Sequence, residues 1–311
     1  MRRDGPVLVI GAAGIDIKGR PNQPLQMGTS NGGVVRNSVG GVARNIAENL
    51  ARLEVPTILL SAVGQDHTGD FLLRHTAAAG VDTSYVLRLP DQHTGSYVAI
   101  LDEKGQLVVA VSEYDIVSRI GPSYLQRCRA LFAKAAMIVL DGNLTPRTLQ
   151  SVFRWAERYD VPVCADPTSP ALATKFIPYL SHLLMVAPDA SEAAALCGAP
   201  SPPTTSTEAI ETAQCLVSMG VEIAIVTMAE QGLAYADGSS AGHIPALRTR
   251  VVDPTGTGDA VTAAVIFGLL QEMPIDEAVR LGVSAGALTL STRETVVPDL
   301  SLDRLYDALI V

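Results

Sequence analysis

The densest chemical information in this 311-residue chain lies in eight consecutive residues, Asp253-Pro254-Thr255-Gly256-Thr257-Gly258-Asp259-Ala260. Arg250, Val251 and Val252 before them favour a strand, and the apolar run from Ala260 to Leu270 favours a helix. The expected order is therefore strand, glycine turn, helix, with Asp259 in or beside the first helical turn. Glycines permit φ > 0 and let the backbone approach a ligand closely. A helix start offers unpaired N–H groups and a positive dipole end, which suit a phosphate or a developing oxyanion. A carboxylate beside such a turn can take a proton from a hydroxyl while a phosphoryl group arrives. The same octet also reads as an aspartate N-cap after an ordinary glycine turn.

A second cluster, Gly40-Gly41-Val42-Ala43-Arg44-Asn45, opens another apolar helix. Its glycines would let a small polar ligand lie against the backbone, and Asn45 offers both a donor and an acceptor to a hydroxyl. Alone, it is equally a glycine-rich loop ahead of a helix.

Both clusters depend on the elements that position them. Val7 to Ile10, Thr57 to Val63, Met137 to Leu140, Val161 to Ala165, Leu183 to Val186 and Ile223 to Thr227 have the short apolar pattern of buried strands. Helical spacing over Val42 to Leu53, Phe71 to Ala79, 258–271, 275–292 and 301–309 alternates with them, which predicts βαβ units and a parallel sheet with right-handed crossovers. Gly232 to Tyr235 and Gly242 to Pro245 suggest a late antiparallel pair. The alternation breaks at 85–112, where Tyr85–Leu89, Ser96–Leu101 and Leu107–Val111 read as strands, the last two joined by the turn Asp102-Glu103-Lys104-Gly105. With residues 28–39 they predict a small antiparallel sheet, a lid drawn from segments of about 19–39 and 85–112 and inserted in one 1–311 domain. Ligands of such folds bind at the carboxyl ends of the strands. Asp16, Asp141, Asn143, Asp166, Asp189, Glu192, Thr227 and the 253–259 turn all fall there.

Composition narrows the class. Hydrophobic residues make up 48% and aromatics 5%, enough apolar content for a large core of closely packed strands and helices. The formal charge of −9 and pI near 5.0 give no footprint for nucleic acid or an anionic membrane. Cys128, Cys164, Cys197 and Cys215 stand apart in sequence with no Cys-x-x-Cys pair, and read as reduced thiols of a cytoplasmic protein. Met1-Arg2-Arg3-Asp4-Gly5-Pro6 leads straight into the first strand without a signal-peptide pattern, and no apolar run reaches the ~20 residues of a membrane span.

Taken together, Gly-Gly-x-x-x-Asn near residue 40, Gly-x-Gly-Asp near 258 and Ile15-Asp16 resemble the PfkB (ribokinase-like) family of sugar and nucleoside kinases, from about Val7 onward. No Walker A pattern and no dinucleotide fingerprint competes. The resemblance implies a three-layer α/β/α core with a small β lid, and ATP and Mg²⁺ as co-substrate and cofactor. By the same resemblance Asp259 is the catalytic base, and the backbone N–H groups of Gly256, Thr257 and Gly258 form the anion hole. Asp16, Gly41 and Asn45 hold sugar hydroxyls, and Asn143 falls where ribokinases carry a substrate-contacting Glu. Asp189 and Glu192 occupy an Asn-x-x-Glu motif that organises Mg²⁺ and phosphate through water. Thr227 and Gly232 flank the nucleotide, and Ser284 to Leu288, including Ala287, pass the adenine. Asp253 and Thr255 lie where some members bind a monovalent cation such as K⁺ through carbonyls. An aspartate base near its ordinary pKa of ~3.9 is ionised at neutral pH.

This chain departs from the family pattern at Thr257 (usually Ala), Asp189 (usually Asn), Ala229 (usually Gly) and Gly14 (often Asn in ribokinases). Within the family, Ser30-Asn31-Gly32-Gly33, the run from Gly41 to Ala51, Thr94-Gly95-Ser96-Tyr97 and Asp141-Gly142-Asn143-Leu144 are most similar to members that phosphorylate the 5′-hydroxyl of pseudouridine. Ribose, fructose, a keto-sugar acid or another nucleoside stay open as acceptors. A non-catalytic sugar or nucleoside sensor on the same fold, and an unrelated dehydrogenase-like α/β protein, are the competing classes. Val98, Ile100, Val108 and Val111 on the lid leave a homodimer or a monomer open.

Overall fold

A computed structural model describes residues 4–310, so the first three residues of the expected leaderless N-terminus lie outside the described residues. In chain order the strands are β1 (Val7–Ile10), β2 (Gly14–Pro21), β3 (Gly33–Gly40), β4 (Thr57–Leu60), β5 (Ala62–Gly64), β6 (Leu87–Leu89), β7 (Gly95–Leu101), β8 (Leu107–Glu113), β9 (Met137–Asp141), β10 (Val163–Asp166), β11 (Met185–Val186), β12 (Ile223–Thr227), β13 (Leu233–Asp237) and β14 (Ala241–Ile244). The helices are α1 (Val42–Arg52), α2 (His67–Ala78), α3 (Pro122–Arg127), α4 (Arg129–Phe132), α5 (Pro146–Tyr159), α6 (Pro170–Ala173), α7 (Ala190–Cys197), α8 (Ser206–Ser218), α9 (Thr257–Leu270), α10 (Ile275–Leu290) and α11 (Leu302–Ile310).

Eight strands form the central sheet in the order β14-β13-β12-β11-β10-β9-β1-β4. All its pairings are parallel except β12–β13 and β13–β14. The apolar runs explain why. Within β1, Leu8 and Ile10 enter one core, while Val7 and Val9 enter the other. A strand covered on both faces must be apolar throughout, and helix crossovers are what cover it. On one face, α9 and α10 approach closely: Gly282 faces Val261 and Val265, and Gly286 faces Val261 and Thr257.

Four strands form a separate sheet, β3-β2-β7-β8, in which β2–β7 is parallel and the other two pairings are antiparallel. Sequence periodicity does not mark β2. Its Lys18, Gly19 and Arg20 look like loop, and long-range pairing on both edges makes them strand. The lid sheet therefore takes in 14–21 and 95–113 rather than Tyr85–Leu89. Leu87–Leu89 instead pairs with β5 in a two-stranded parallel sheet. Pairing parity puts Val35, Val98, Val109 and Val111 on one face of the lid sheet, all exposed, with Ile17 and Ile100 on that face too.

Two further expectations change. Arg250–Val252 forms no strand; Val251 and Val252 are exposed, and Val252 N–H donates to the Leu290 carbonyl at the end of α10. Thr57–Val63 breaks at Ser61, whose hydroxyl donates to the Gly11 carbonyl at 2.7 Å. Cys197 and Cys215, separated in sequence, bring their thiols into hydrogen-bond contact where α7 packs on α8. Among the described residues no helix is long and apolar enough to cross a membrane.

Candidate active site

The two glycine clusters meet. Asn45 is in the first turn of α1 and Asp259 in the first turn of α9, and Asn45 Nδ2 donates to Asp259 Oδ2 at 2.6 Å across 214 residues. The α1 turn is possible because Gly41 has φ +94, and a Cβ there would lie 2.6 Å from the Ala12 carbonyl. Asp141, at the end of β9, locks this junction by accepting from the N–H groups of Ala12 at 2.7 Å and Ala43 at 3.1 Å. Its other oxygen accepts from the Asn143 backbone at 2.9 Å, and the Asn143 side chain also donates to it. Asp141 is thus a structural tie, and Asn143 stands half-buried beside the junction.

Asp259 is buried, and burial together with the Asp166 charge raises its carboxyl well above the ordinary range, against the opposing pull of Asn45 and Arg44. The expectation of an ordinary pKa is therefore corrected: desolvation disfavours the carboxylate, which makes it a stronger base once ionised. Asp16, on the lid strand β2, is 5% exposed and is pushed up to about 6 by burial, with Lys18 and Arg44 opposing. Asn45 Oδ1 has no partner among the described residues, so one buried acceptor faces this cluster unsatisfied. Buried polar atoms are almost always hydrogen-bonded, so this oxygen is left free to accept from a ligand hydroxyl.

Two residues that periodicity did not single out join the site. Arg44 is fully buried; its Nη2 donates to Glu48 Oε2 at 2.5 Å, while Nε and Nη1 have no partner among the described residues, and its charge acts on Asp16 and Asp259. Its position directly before Asn45 was the available signal. Tyr114 follows β8, and its ring lies against Gly14 and Gly95, where a Cβ on Gly14 would come within 2.7 Å of it. Burial, with the nearby charges of Asp16, Asp141 and Asp259, pushes its phenol upward. Gly14 in place of the ribokinase Asn is the space that Tyr114 fills.

The turn ahead of α9 has Gly256 at φ +84 as the helix N-cap, packed so tightly on the Thr295 carbonyl that no side chain fits. Thr257 N–H donates to the Pro254 carbonyl at 3.3 Å, and Thr257 Oγ1 donates to the same oxygen at 2.8 Å. The Thr257 amide is thus partly engaged in the turn itself, whereas Gly256 N–H and Gly258 N–H have no backbone acceptor among the described residues and follow the open pattern of a helix start. The Thr257 methyl packs 3.4 Å from where a Cβ of Gly286 would be, so the extra bulk relative to Ala points into α10. Asp253 and Thr255 are engaged by a side chain: Lys18 Nζ donates to both Asp253 oxygens, at 2.8 and 2.7 Å, and to Thr255 Oγ1 at 2.5 Å.

On the far side of the sheet edge, Asp189 and Glu192 form a capping box at the start of α7. Asp189 Oδ1 accepts from Glu192 N–H at 2.8 Å, and Glu192 Oε2 accepts from Asp189 N–H at 2.9 Å. Asp in place of Asn therefore places its charge at a positive helix end, which stabilises it there. Glu192 is pushed up to about 8 by burial and by Asp166 and Asp189, and Asp166 to about 7 by burial and Asp141. Carboxylates that raise one another in this way are relieved by a divalent cation. No three His, Cys, Asp or Glu side chains among the described residues converge to hold a metal by themselves, so Mg²⁺ at Glu192 would keep water and phosphate ligands, as suits that ion. Thr227 ends β12 and bridges to Asp189, and Gly232 (φ +95) closes the turn that follows. Ala229, at φ +48, adopts the left-handed conformation that its family glycine would take without strain. Ala287 is half-buried on α10. Ser284 is fully buried, its hydroxyl donating to the Leu305 carbonyl at 2.6 Å, so it faces α11 rather than a nucleotide surface.

The description "pfkB family carbohydrate kinase" matches residues 5–301. The pseudouridine kinase of Escherichia coli strain K12 is 33% identical over 304 residues, covering 97% of this chain and 96% of that protein. The guanosine-inosine kinase of Exiguobacterium acetylicum is 28% identical over 305 residues, covering 96% of this chain and 99% of that protein. Among solved structures, the Arabidopsis thaliana ribokinase complexed with ribose and ATP superposes with a TM-score of 0.83 at 21% identity, covering 99% of both chains. The fold is ribokinase-like, and with a family match running almost end to end, this chain belongs to the pfkB family of carbohydrate kinases.

Proposed function

We propose that the protein transfers the γ-phosphoryl group of ATP to the hydroxymethyl oxygen of a nucleoside, and that its acceptor is the 5′-hydroxyl of pseudouridine, giving pseudouridine 5′-phosphate and ADP. The observation that carries the reading is the 2.6 Å contact between Asn45 Nδ2 and Asp259 Oδ2, which sets a hydroxyl-binding amide on the carboxylate beside the glycine turn. Asp259 takes the proton as the acceptor oxygen attacks phosphorus, and the bond from the γ-phosphorus to the bridging oxygen breaks. The N–H groups of the Gly256-Thr257-Gly258 turn carry the negative charge of the transferring group. Such transfer depends on positioning and charge neutralisation, with little covalent work by the protein. Asp16, Gly41, Asn45 and Asn143 hold the sugar hydroxyls, and Tyr114 bounds the acceptor. Thr227, Gly232 and Ala287 line the nucleotide. Mg²⁺, held through water near Glu192, neutralises phosphate charge when bound. Support for pseudouridine comes from the 33% identity to a pseudouridine kinase across nearly the whole chain.

The same reading makes residues 1–311 one kinase domain acting in the cytoplasm. A second copy of the chain covers Val35, Val98, Val109 and Val111 on the outer face of the lid sheet.

The test is ADP release with ATP and Mg²⁺ on pseudouridine, uridine, adenosine, ribose, fructose and keto-deoxygluconate. Pseudouridine is expected to give the highest kcat/KM. Asp259→Asn is expected to lower kcat by about 10²- to 10⁴-fold, the usual reach of a positioned base. Equal turnover of ribose and pseudouridine removes the substrate assignment. Activity that survives Asp259→Asn removes the mechanism.

A further inference from the structure

Lys18 has no part in the chemistry just described, yet it makes the most concentrated polar contact between the lid and the body. It lies two residues after Asp16 on β2, so the two side chains leave the same face of the lid sheet. Its ammonium has three donors, and all three are engaged: two on the Asp253 carboxylate at 2.8 and 2.7 Å, and one on Thr255 Oγ1 at 2.5 Å. The pair is mostly shielded, at 13% exposure for the lysine side chain and 23% for the aspartate. Asp253 Oδ1 also accepts from Thr255 N–H at 2.9 Å, so the ammonium closes a small ring that shapes the turn entering Gly256. The segment needs such a tie. Residues 250–256 belong to no strand or helix, and their backbone is otherwise anchored at its start by Val252 and Asp253 N–H on the Leu290 carbonyl.

We propose that Lys18 is a positioning residue that latches the lid strand to the anion-binding turn and is itself the cation of that turn, so that phosphoryl transfer in this protein requires no added monovalent ion. A K⁺ held by the Asp253 and Thr255 carbonyls, as the family resemblance implies, would lie beside this ammonium. Both Asp253 oxygens and the Thr255 hydroxyl already hold a fixed positive charge, and an ion drawn to the same carboxylate would meet that charge at close range. With no donor left for phosphate, the ammonium acts on the reaction through the turn rather than by touching substrate. A tethered lysine loses less freedom on binding than a free ion, and it couples the order of the turn to the position of the lid. The proposal rests on the kinase reading for its catalytic half only; the latch can be measured without any substrate.

The experiment compares the wild type, Lys18→Met, Asp253→Asn and the double variant in tetramethylammonium buffer titrated with KCl or NH₄Cl. Backbone hydrogen exchange over 253–258 and β3 is read without ligands, and turnover is read separately. Wild-type kcat is expected to change less than about twofold on adding K⁺. Breaking a shielded charge pair is expected to speed exchange over 253–258 by at least about tenfold in Lys18→Met. In that variant kcat should fall about tenfold or more with the acceptor KM nearly unchanged, and K⁺ or NH₄⁺ should restore part of it. The double variant, free of an uncompensated charge, should keep its thermal stability while its turn still exchanges fast. Wild-type turnover that rises tenfold or more with K⁺ (a scale set by about 1.4 kcal/mol) overturns the proposal. Wild-type exchange and kcat in Lys18→Met overturn it as well. Normal exchange behaviour in a protein that phosphorylates nothing would instead locate the failure in the kinase reading.

Discussion

Asp16→Asn should change stability and catalysis in opposite directions, and the size of the stability change follows from the burial of one carboxyl. Asp16 is 5% exposed on the lid strand, and its pKa stands at about 6 against an ordinary 3.8. A folded pKa above the unfolded one means that the folded state holds its proton more tightly. The stability linked to this group is fully present below 3.8 and is lost as pH rises through 6. The difference of roughly two units corresponds to about 3 kcal/mol in all, of which about 1.4 kcal/mol is lost between pH 5 and 8. Asparagine has the same shape and does not titrate. The ligand-free variant should therefore gain on the wild type as pH increases. With an unfolding entropy of roughly 2 cal/mol/K per residue, a gain of about 1.4 kcal/mol over that interval is about 2 °C in Tm. On the proposed function the same substitution removes a charged acceptor for a sugar hydroxyl, a loss of about 1.5–3 kcal/mol, or roughly 10- to 150-fold in kcat/KM. Differential scanning fluorimetry of both proteins at half-unit steps from pH 5 to 8, with acceptor kinetics at pH 7.5, tests both halves. Parallel Tm profiles for the two proteins would refute the claim that burial makes the ionised form of Asp16 costly to the fold.

Other substitutions probe the same edge. Asn45→Ala removes the hydrogen bond that lowers the Asp259 pKa. The acid limb of the kcat pH profile should move to higher pH and kcat/KM should fall about tenfold or more; a limb that stays in place or moves down contradicts the contact's role. Ala229→Gly relieves a left-handed φ of +48 at the turn after β12, and should raise stability by up to about 1 kcal/mol in urea unfolding, with a drop arguing that the strain is not borne by Ala229.

Local pattern in the sequence was enough to find the strands that are buried on both faces, because a parallel sheet between helix layers leaves no polar position to blur the signal. Val7–Ile10, Met137–Asp141 and Ile223–Thr227 fall where their apolar runs put them. It was also enough to find both glycine clusters, since a positive φ at Gly41 and Gly256 restricts the residue type directly. What it could not decide was any pairing across the chain. Lys18 looks like a loop lysine until β3 and β7 flank β2 and bring its ammonium to a carboxylate 235 residues away. Tyr114 becomes part of the site only because Gly14 and Gly95, from two other strands, leave room for its ring. Arg250–Val252 has strand-forming residues but no partner strand, and so remains irregular backbone on the surface. Residue type sets what a backbone can do within a few positions. Charge pairing, desolvation and the raised pKa of Asp259 depend on which distant groups the fold places alongside, and that is decided by the tertiary structure alone.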